Sequence, residues 1–254
     1  MSRVLFTIQY LGTRYAGWQL QANALSVQQV VEEALEKMYH APVRVHGAGR
    51  TDSGVHALAQ RAHADVPIDI PPRGLILGLN QLLPPDVRVM HVEPVADDFH
   101  ARFEAKAKTY EYRIWNAEVA DVFASETHAH VARELDAARM HEAAQALIGT
   151  HDFRAFTVAE PEVSATVRTI LAIDVEWCAL PARPPEAGSK PAPLQTVRIT
   201  VTADGFLRYM VRRIAGSLIE IGHGKLDSVW HAARWTAPAK GLVLREIRYN
   251  ILPL

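Results

Sequence analysis

Asp52 and Arg50 stand two residues apart in the stretch Gly47-Ala48-Gly49-Arg50-Thr51-Asp52-Ser53-Gly54-Val55-His56. A cation beside a carboxylate favours its ionised form and lowers its pKa from about 3.9. Such a group is a poor proton donor at neutral pH but a competent nucleophile or proton acceptor. The three glycines permit positive φ and a close approach of backbone to a ligand. A glycine-rich loop also costs folding entropy, which a function would offset. Two readings stand on these residues alone: a reactive loop, or a polar turn between two strands.

Several familiar chemistries do not fit. No second acid lies near Asp52, which argues against a glycosidase-type carboxylate pair. Gly47-x-Gly49-x-x-Asp52 lacks the third glycine and the helix start of a dinucleotide-binding turn. Ser53 is not a nucleophile elbow, because Thr51 holds the place of the first glycine. His46, His56 and His63 match no usual ligand spacing, so no metal is expected. Farther along, Arg208 and Arg212 would lie one turn apart at the edge of a helix with Leu207, Met210, Val211, Ile214 and Leu218 as its apolar stripe. Arg212 reads either as a functional cation or as a boundary residue reaching water. Lys108, Tyr110 and Tyr112 alternate on one strand face, as a base-stacking platform or as an inward core face.

The elements that must position these residues are legible in part. Val4 to Tyr10 is rich in β-formers, and Ser26 followed by Gln29 has the form of a capping box ahead of Val27, Val30, Val31, Ala34, Leu35 and Met38. A strand through Val43 and Val45 leads into the Asp52 loop, and another runs through Ala62 to Val66. Pro71-Pro72 open a helix from Leu75 to Leu83, which Pro84-Pro85 end, and Val87 to Val92 reads as a strand. In the second half, Ala105 to Trp115 is a long strand. Asp136 caps a helix to Ile148, ended by Gly149. Thr169–Trp177 and Val197–Thr202 form a hairpin joined by a Pro-rich surface loop, Pro181 to Pro193. Leu207–Ile221 and Ser228–Trp235 read as helices, and Val243–Tyr249 as a last strand. The expectation is α+β with two similar halves, residues 1–100 and 101–254, and a site in a groove between them.

Composition bounds the rest. The 254 residues suffice for two compact domains, and 49% hydrophobic with 22% charged residues describes a globular chain. The single cysteine, Cys178, excludes an intramolecular disulfide and fits a reducing compartment. The apolar run at the N-terminus is too short for a signal peptide, and no stretch approaches the roughly 20 apolar residues of a membrane span; a cytoplasmic location is expected. Net charge is −1, yet cations cluster locally: Arg102, Lys106, Lys108 and Arg113 against Glu104 and Glu111, then Arg208, Arg212, Arg213 and Lys225 against Glu220. Such patches suit a polyanion partner and equally an ordinary solvated face.

A series of motifs resembles the TruA family of tRNA pseudouridine synthases. It comprises Tyr15-Ala16-Gly17-Trp18-Gln19, Gly49 to His56, Asp98-Phe99-His100-Ala101-Arg102-Phe103, Lys108-Thr109-Tyr110-Glu111-Tyr112-Arg113, His151-Asp152-Phe153, Phe206 to Ile214 and Ala239-Lys240-Gly241-Leu242, in the family's order over nearly the whole chain. The resemblance implies two pseudosymmetric α+β halves with mostly antiparallel sheets flanked by helices and a basic cleft between them. It implies conversion of uridine to pseudouridine at positions 38 to 40 of tRNA, without cofactor or metal, by a homodimer that holds the tRNA jointly. Asp52 falls on the family's catalytic aspartate and Arg212 on the arginine that pairs with it. Tyr110 falls on the tyrosine against the target uracil, and Arg50 on the arginine that replaces the flipped base. Lys106, Lys108, Arg208 and Arg213 are then expected to meet tRNA phosphates. The chain departs from the family in having Leu11 where the motif Tyr-Asp-Gly-Thr has its acid, in the Pro181–Pro193 insertion, and in a shortened Ser228–Pro238 region. A non-catalytic tRNA-binding or chaperone module is the alternative; the Arg50, Asp52, Tyr110 and Arg212 set weighs against it, because binding alone gives no reason for an acid facing phosphate.

Overall fold

Alternating apolar residues build the first strand, β1 (Ser2–Tyr10), whose Val4, Phe6, Ile8 and Tyr10 are all buried on one face. The structure, a computed structural model, describes residues 2–158, 165–179, 195–231 and 235–250. It divides into two compact units, Met1–Lys108 with Val243–Leu254, and Thr109–Leu242. The last strand therefore belongs with the first unit, whereas the order of the sequence put it with residues 101–254.

The first unit continues through α1 (Val27–Tyr39), β2 (His46–Gly47), β3 (His56–Val66), α2 (Pro72–Leu82) and β4 (Val87–Pro94). Its sheet runs β4-β1-β3, with β1 antiparallel to both neighbours, as in Phe6 opposite Val92 and Ala62. A strand from the end of the chain, β10 (Leu242–Arg248), joins parallel to β3 with Val243 opposite His56. Ser26 caps α1, its Oγ accepting from the Gln29 N–H at 3.2 Å. The capping box is only half made, since the Gln29 amide turns to Glu33 at 2.9 Å. Pro71 and Pro72 open α2 as their fixed φ allows, and the Leu83 N–H closes it on Leu79 O.

Val43 and Val45 are buried but lie outside any strand, contrary to the sequence reading. The backbone of Val45 is satisfied by side chains of α1: its N–H donates to Glu32 Oε1 at 3.0 Å, and its carbonyl accepts from Gln28 Nε2 at 3.0 Å. Strand pairing begins only at His46, opposite His63.

The second unit holds most of β5 (Ala107–Asn116), β6 (Ala129–Val131), α3 (Ala137–Gln145), β7 (Gly149–Asp152), β8 (Val167–Ala179), β9 (Gln195–Ala203) and α4 (Met210–Gly222). The order β5-β9-β8-β7 includes the expected β8–β9 hairpin, antiparallel with Val175 opposite Ile199. Asp136 caps α3, accepting from the Arg139 N–H at 2.9 Å. This helix ends at Gln145, three residues before the expected Ile148, and α3 packs on β8 and α4. The helix expected from Leu207 starts at Met210, because Tyr209 adopts φ +62° in the left-handed region. Residues 228–231 form a turn where a helix was expected, and 232–234 lie outside the described residues, as does the Pro181–Pro193 loop. Both units combine helices with mostly antiparallel strands, the α+β class expected. No helix among the described residues is long and apolar enough to cross a membrane.

Candidate active site

The Asp52 loop is clamped from end to end by elements of its own unit. Ala48 extends the β2 pairing by one rung, its N–H donating to Arg61 O at 2.7 Å. Gln60, fully buried on β3, donates from Nε2 to Gly49 O at 2.8 Å. Lys108 Nζ donates to Ala48 O at 2.8 Å. The Val55 N–H closes a tight turn on Asp52 O at 3.1 Å, with Gly54 at φ +78°.

The second clamp is the segment between β1 and α1. Trp18 N–H donates to Thr51 O at 3.2 Å, and Tyr15 O accepts from the Gly54 N–H at 3.2 Å and from Ser53 Oγ at 3.3 Å. Tyr10 and Thr51 share a buried hydroxyl–hydroxyl bond of 2.9 Å. The Gly12 N–H donates to His56 Nδ1 at 2.9 Å, so the His56 proton sits on Nε2. Gly17, at φ +89°, lies so near the loop that a Cβ would fall well inside contact distance of Thr51 O and 3.1 Å from Asp52 C. Only glycine meets both demands. Thr51 is thereby buried and Asp52 half-buried, while Arg50 and Ser53 face outward. A loop that reads as a mobile glycine-rich turn is therefore a held one. The residues that hold it, Tyr10, Gly12, Tyr15 and Trp18, were missed by local reading; Tyr15 to Gln19 stood out only through the family motif. Leu11 is exposed, with its N–H on Asp86 O at 3.0 Å, while Asp86 Oδ1 accepts from the Tyr15 hydroxyl at 2.6 Å.

The expected phosphate contacts separate into two kinds. Lys106 and Arg208 are exposed. Lys108 is half-buried and bonded to the loop; burial, with Arg102 nearby, pushes its ammonium down to about 8. Arg213 commits Nη1 to Thr157 O at 2.7 Å and Ala155 O at 3.3 Å. Both side chains thus serve backbone carbonyls.

The other expected site residues belong to the second unit. Tyr110 is buried on β5, edge-on to Phe206 at 5.1 Å. Tyr112 is wholly buried, its hydroxyl donating to Pro238 O at 2.9 Å, and so follows the core reading of that strand face. Arg212 sits in the first turn of α4, with Nε on Ala237 O at 2.7 Å and its guanidinium 5.2 Å from the Tyr209 ring centre. Arg208 precedes the helix and lies 4.9 Å from the same ring. The two arginines therefore share an aromatic neighbour instead of a helix edge.

The histidines regroup. His63 stacks on His46 at 5.0 Å and meets His100 at 4.7 Å, while His56 is engaged elsewhere by Gly12. His63 Nδ1 accepts from the Ala101 N–H at 3.2 Å. Burial, then the neighbouring His100 and His46, push its pKa down to about 4. Among the described residues, no group of three or more His, Cys, Asp or Glu could hold a metal ion.

A family model described as tRNA pseudouridine synthase matches residues 7–104 and 143–250. The tRNA pseudouridine synthase A of Myxococcus xanthus is 40% identical over 260 residues, covering 98% of this chain and 93% of its own. Proteins of the same name from Pseudoalteromonas translucida and Bacillus pumilus are 38% and 39% identical, covering 97% and 98% of this chain and 92% and 99% of theirs.

Proposed function

Because this chain belongs to the tRNA pseudouridine synthase family, with the conversion of uridine to pseudouridine in tRNA as its reaction, we propose that it acts at positions 38, 39 and 40 of the anticodon stem-loop with Asp52 as the catalytic group. The reaction breaks the bond from C1′ of ribose to N1 of uracil and forms one from C1′ to C5. The C5 proton leaves and N1 gains one, so no co-substrate is consumed. The target base must first leave the stack, which costs a few kcal/mol. Arg50, exposed at the tip of the loop, takes the place of the flipped base and offsets part of that cost. Asp52 then attacks C1′ or removes a sugar proton to give a glycal; both routes need an ionised carboxylate. Tyr110 holds the detached uracil by its ring face, and Arg212 pairs with Asp52 to keep it charged. A cytoplasmic homodimer that grips the tRNA jointly completes the proposal.

The observation that supports this reading is the clamped loop. Its backbone is fixed on both sides of Asp52 by Arg61 O, Gln60, Lys108, Tyr15 and Trp18, which is the preorganisation that attack on a bound sugar demands. A polar turn would have no need of it. The test is Asp52→Asn, with pseudouridine in the tRNA mapped by mass spectrometry. Turnover is expected to vanish while tRNA affinity stays within a few-fold. Retained turnover would sink the assignment, and tRNA from cells lacking the protein that keeps pseudouridine at 38 to 40 would sink the choice of positions.

A further inference from the structure

Lys108 occupies a place that phosphate binding does not explain. Ala48 and Arg61 face each other where the β2–β3 ladder would make its next rung, and that rung is half made. Ala48 N–H reaches Arg61 O, but the returning Arg61 N–H donates to Gln60 Oε1 at 3.2 Å. The same Gln60 amide holds Gly49 O through its nitrogen. Ala48 O, on a residue with no exposed surface, is left without its strand partner. An unmet buried carbonyl is costly, and the Lys108 ammonium meets it at 2.8 Å. The fit is close on the next residue too: a Cβ at Gly49 would stand 2.9 Å from Lys108 Nζ. Two side chains, Gln60 and Lys108, therefore replace one backbone hydrogen bond at the point where the loop departs from the sheet, four residues before Asp52.

We propose that Lys108 is a positioning residue for the reaction: its ammonium, bonded to Ala48 O and seated against Gly49, sets the course of the backbone that carries Arg50 and Asp52. This rests on the assignment of Asp52 as the catalytic group. A charge-assisted bond to the carbonyl is shorter and stronger than a neutral one, so it restrains the exit of the loop more firmly than the strand bond it replaces. Displacement of a catalytic group by about 1 Å costs about a hundredfold in rate. Loss of this restraint should then appear in turnover, with little change in tRNA affinity.

The full-length protein is assayed with unmodified tRNA in three forms, Lys108→Met, Lys108→Gln and Gly49→Ala. Met keeps the length of the stem and removes the donor; Gln keeps an N–H donor without charge. Gly49→Ala pushes the flexible end of Lys108 aside without touching the lysine. The kcat of Lys108→Met is expected to fall about tenfold or more, with KM for tRNA within about twofold, and Gln is expected to recover part of the loss. Gly49→Ala should lower kcat in the same way, and the double variant Gly49→Ala/Lys108→Met should lose no more than the worse single one. Unchanged kcat in Lys108→Met, a raised KM with kcat intact, or additive losses in the double variant would each overturn the proposal. Should Lys108→Met fail to fold, Gln and Gly49→Ala decide by the same kcat criterion. Turnover by Asp52→Asn would instead remove the premise, whatever Lys108 does.

Discussion

Replacing Gly17 by alanine should disturb the Gly47–His56 loop through both strain and a backbone clash. The added Cβ meets two obstacles. Gly17 has φ +89°, where an L-residue is strained by about 1–2 kcal/mol. The Cβ also enters the space of Thr51 O and comes 3.1 Å from Asp52 C and 3.3 Å from Ser53 N. These are backbone atoms, which cannot rotate away as a side chain would, and overpacking of this kind costs about 1–3 kcal/mol. Relief by moving the loop would weaken the Trp18 N–H bond to Thr51 O, at about 1 kcal/mol. The total is about 3–6 kcal/mol. Gly149→Ala is the matched control: its φ is +105°, but the nearest atom to its Cβ is His151 Nε2 at 3.5 Å, an ordinary contact. Strain alone then applies, about 1–2 kcal/mol. Urea unfolding of both variants, followed by fluorescence, reads the difference, and turnover reads its consequence for Asp52. Gly17→Ala should be the less stable by about 2 kcal/mol or more and the only one of the two to lose kcat. Equal stabilities, or full activity in Gly17→Ala, would refute the view that this contact shapes the loop.

Two further expectations concern charge. His63 titrates near 4 when folded against about 6.5 when unfolded, so between those values the unfolded chain binds the extra proton. Its contribution to stability is therefore complete above pH 6.5 and is lost as the pH falls to about 4, by up to about 3 kcal/mol; His63→Asn should flatten that acid limb, and parallel unfolding curves for the two proteins would contradict the assignment. Among the cations, Lys106→Ala and Arg208→Ala should each weaken tRNA binding and reduce the slope of log affinity against log salt by about 0.7–0.9. Arg213→Ala, by contrast, removes bonds to Thr157 O and Ala155 O and should show in stability with the slope unaltered. An unchanged slope for Lys106→Ala and Arg208→Ala would take both residues out of the tRNA footprint.

Much of this protein is written in local pattern. The alternation of Val4, Phe6, Ile8 and Tyr10, the caps at Ser26 and Asp136, the prolines around α2 and the β8–β9 hairpin all follow from rules that act over a few residues. The Gly47–His56 loop and its Arg50–Asp52 pair are equally visible, as is the ordered set of family motifs. Local pattern fails where partners lie far apart along the chain. Val45 has the composition of a strand but is satisfied by Gln28 and Glu32 of a helix. Leu207 fits a helical stripe, yet the backbone at Tyr209 turns left-handed and delays α4. Lys108 and Arg213 look like surface cations until their carbonyl partners, 60 and 56 residues away, are known. β10 joins β3 across most of the chain. Residue type and spacing carry propensity and charge, so they name the chemistry available. Which buried carbonyl lacks a strand partner, and which distant donor meets it, depends on how the packed elements align. That alignment turns the loop around Asp52 from a flexible run of glycines into a held one.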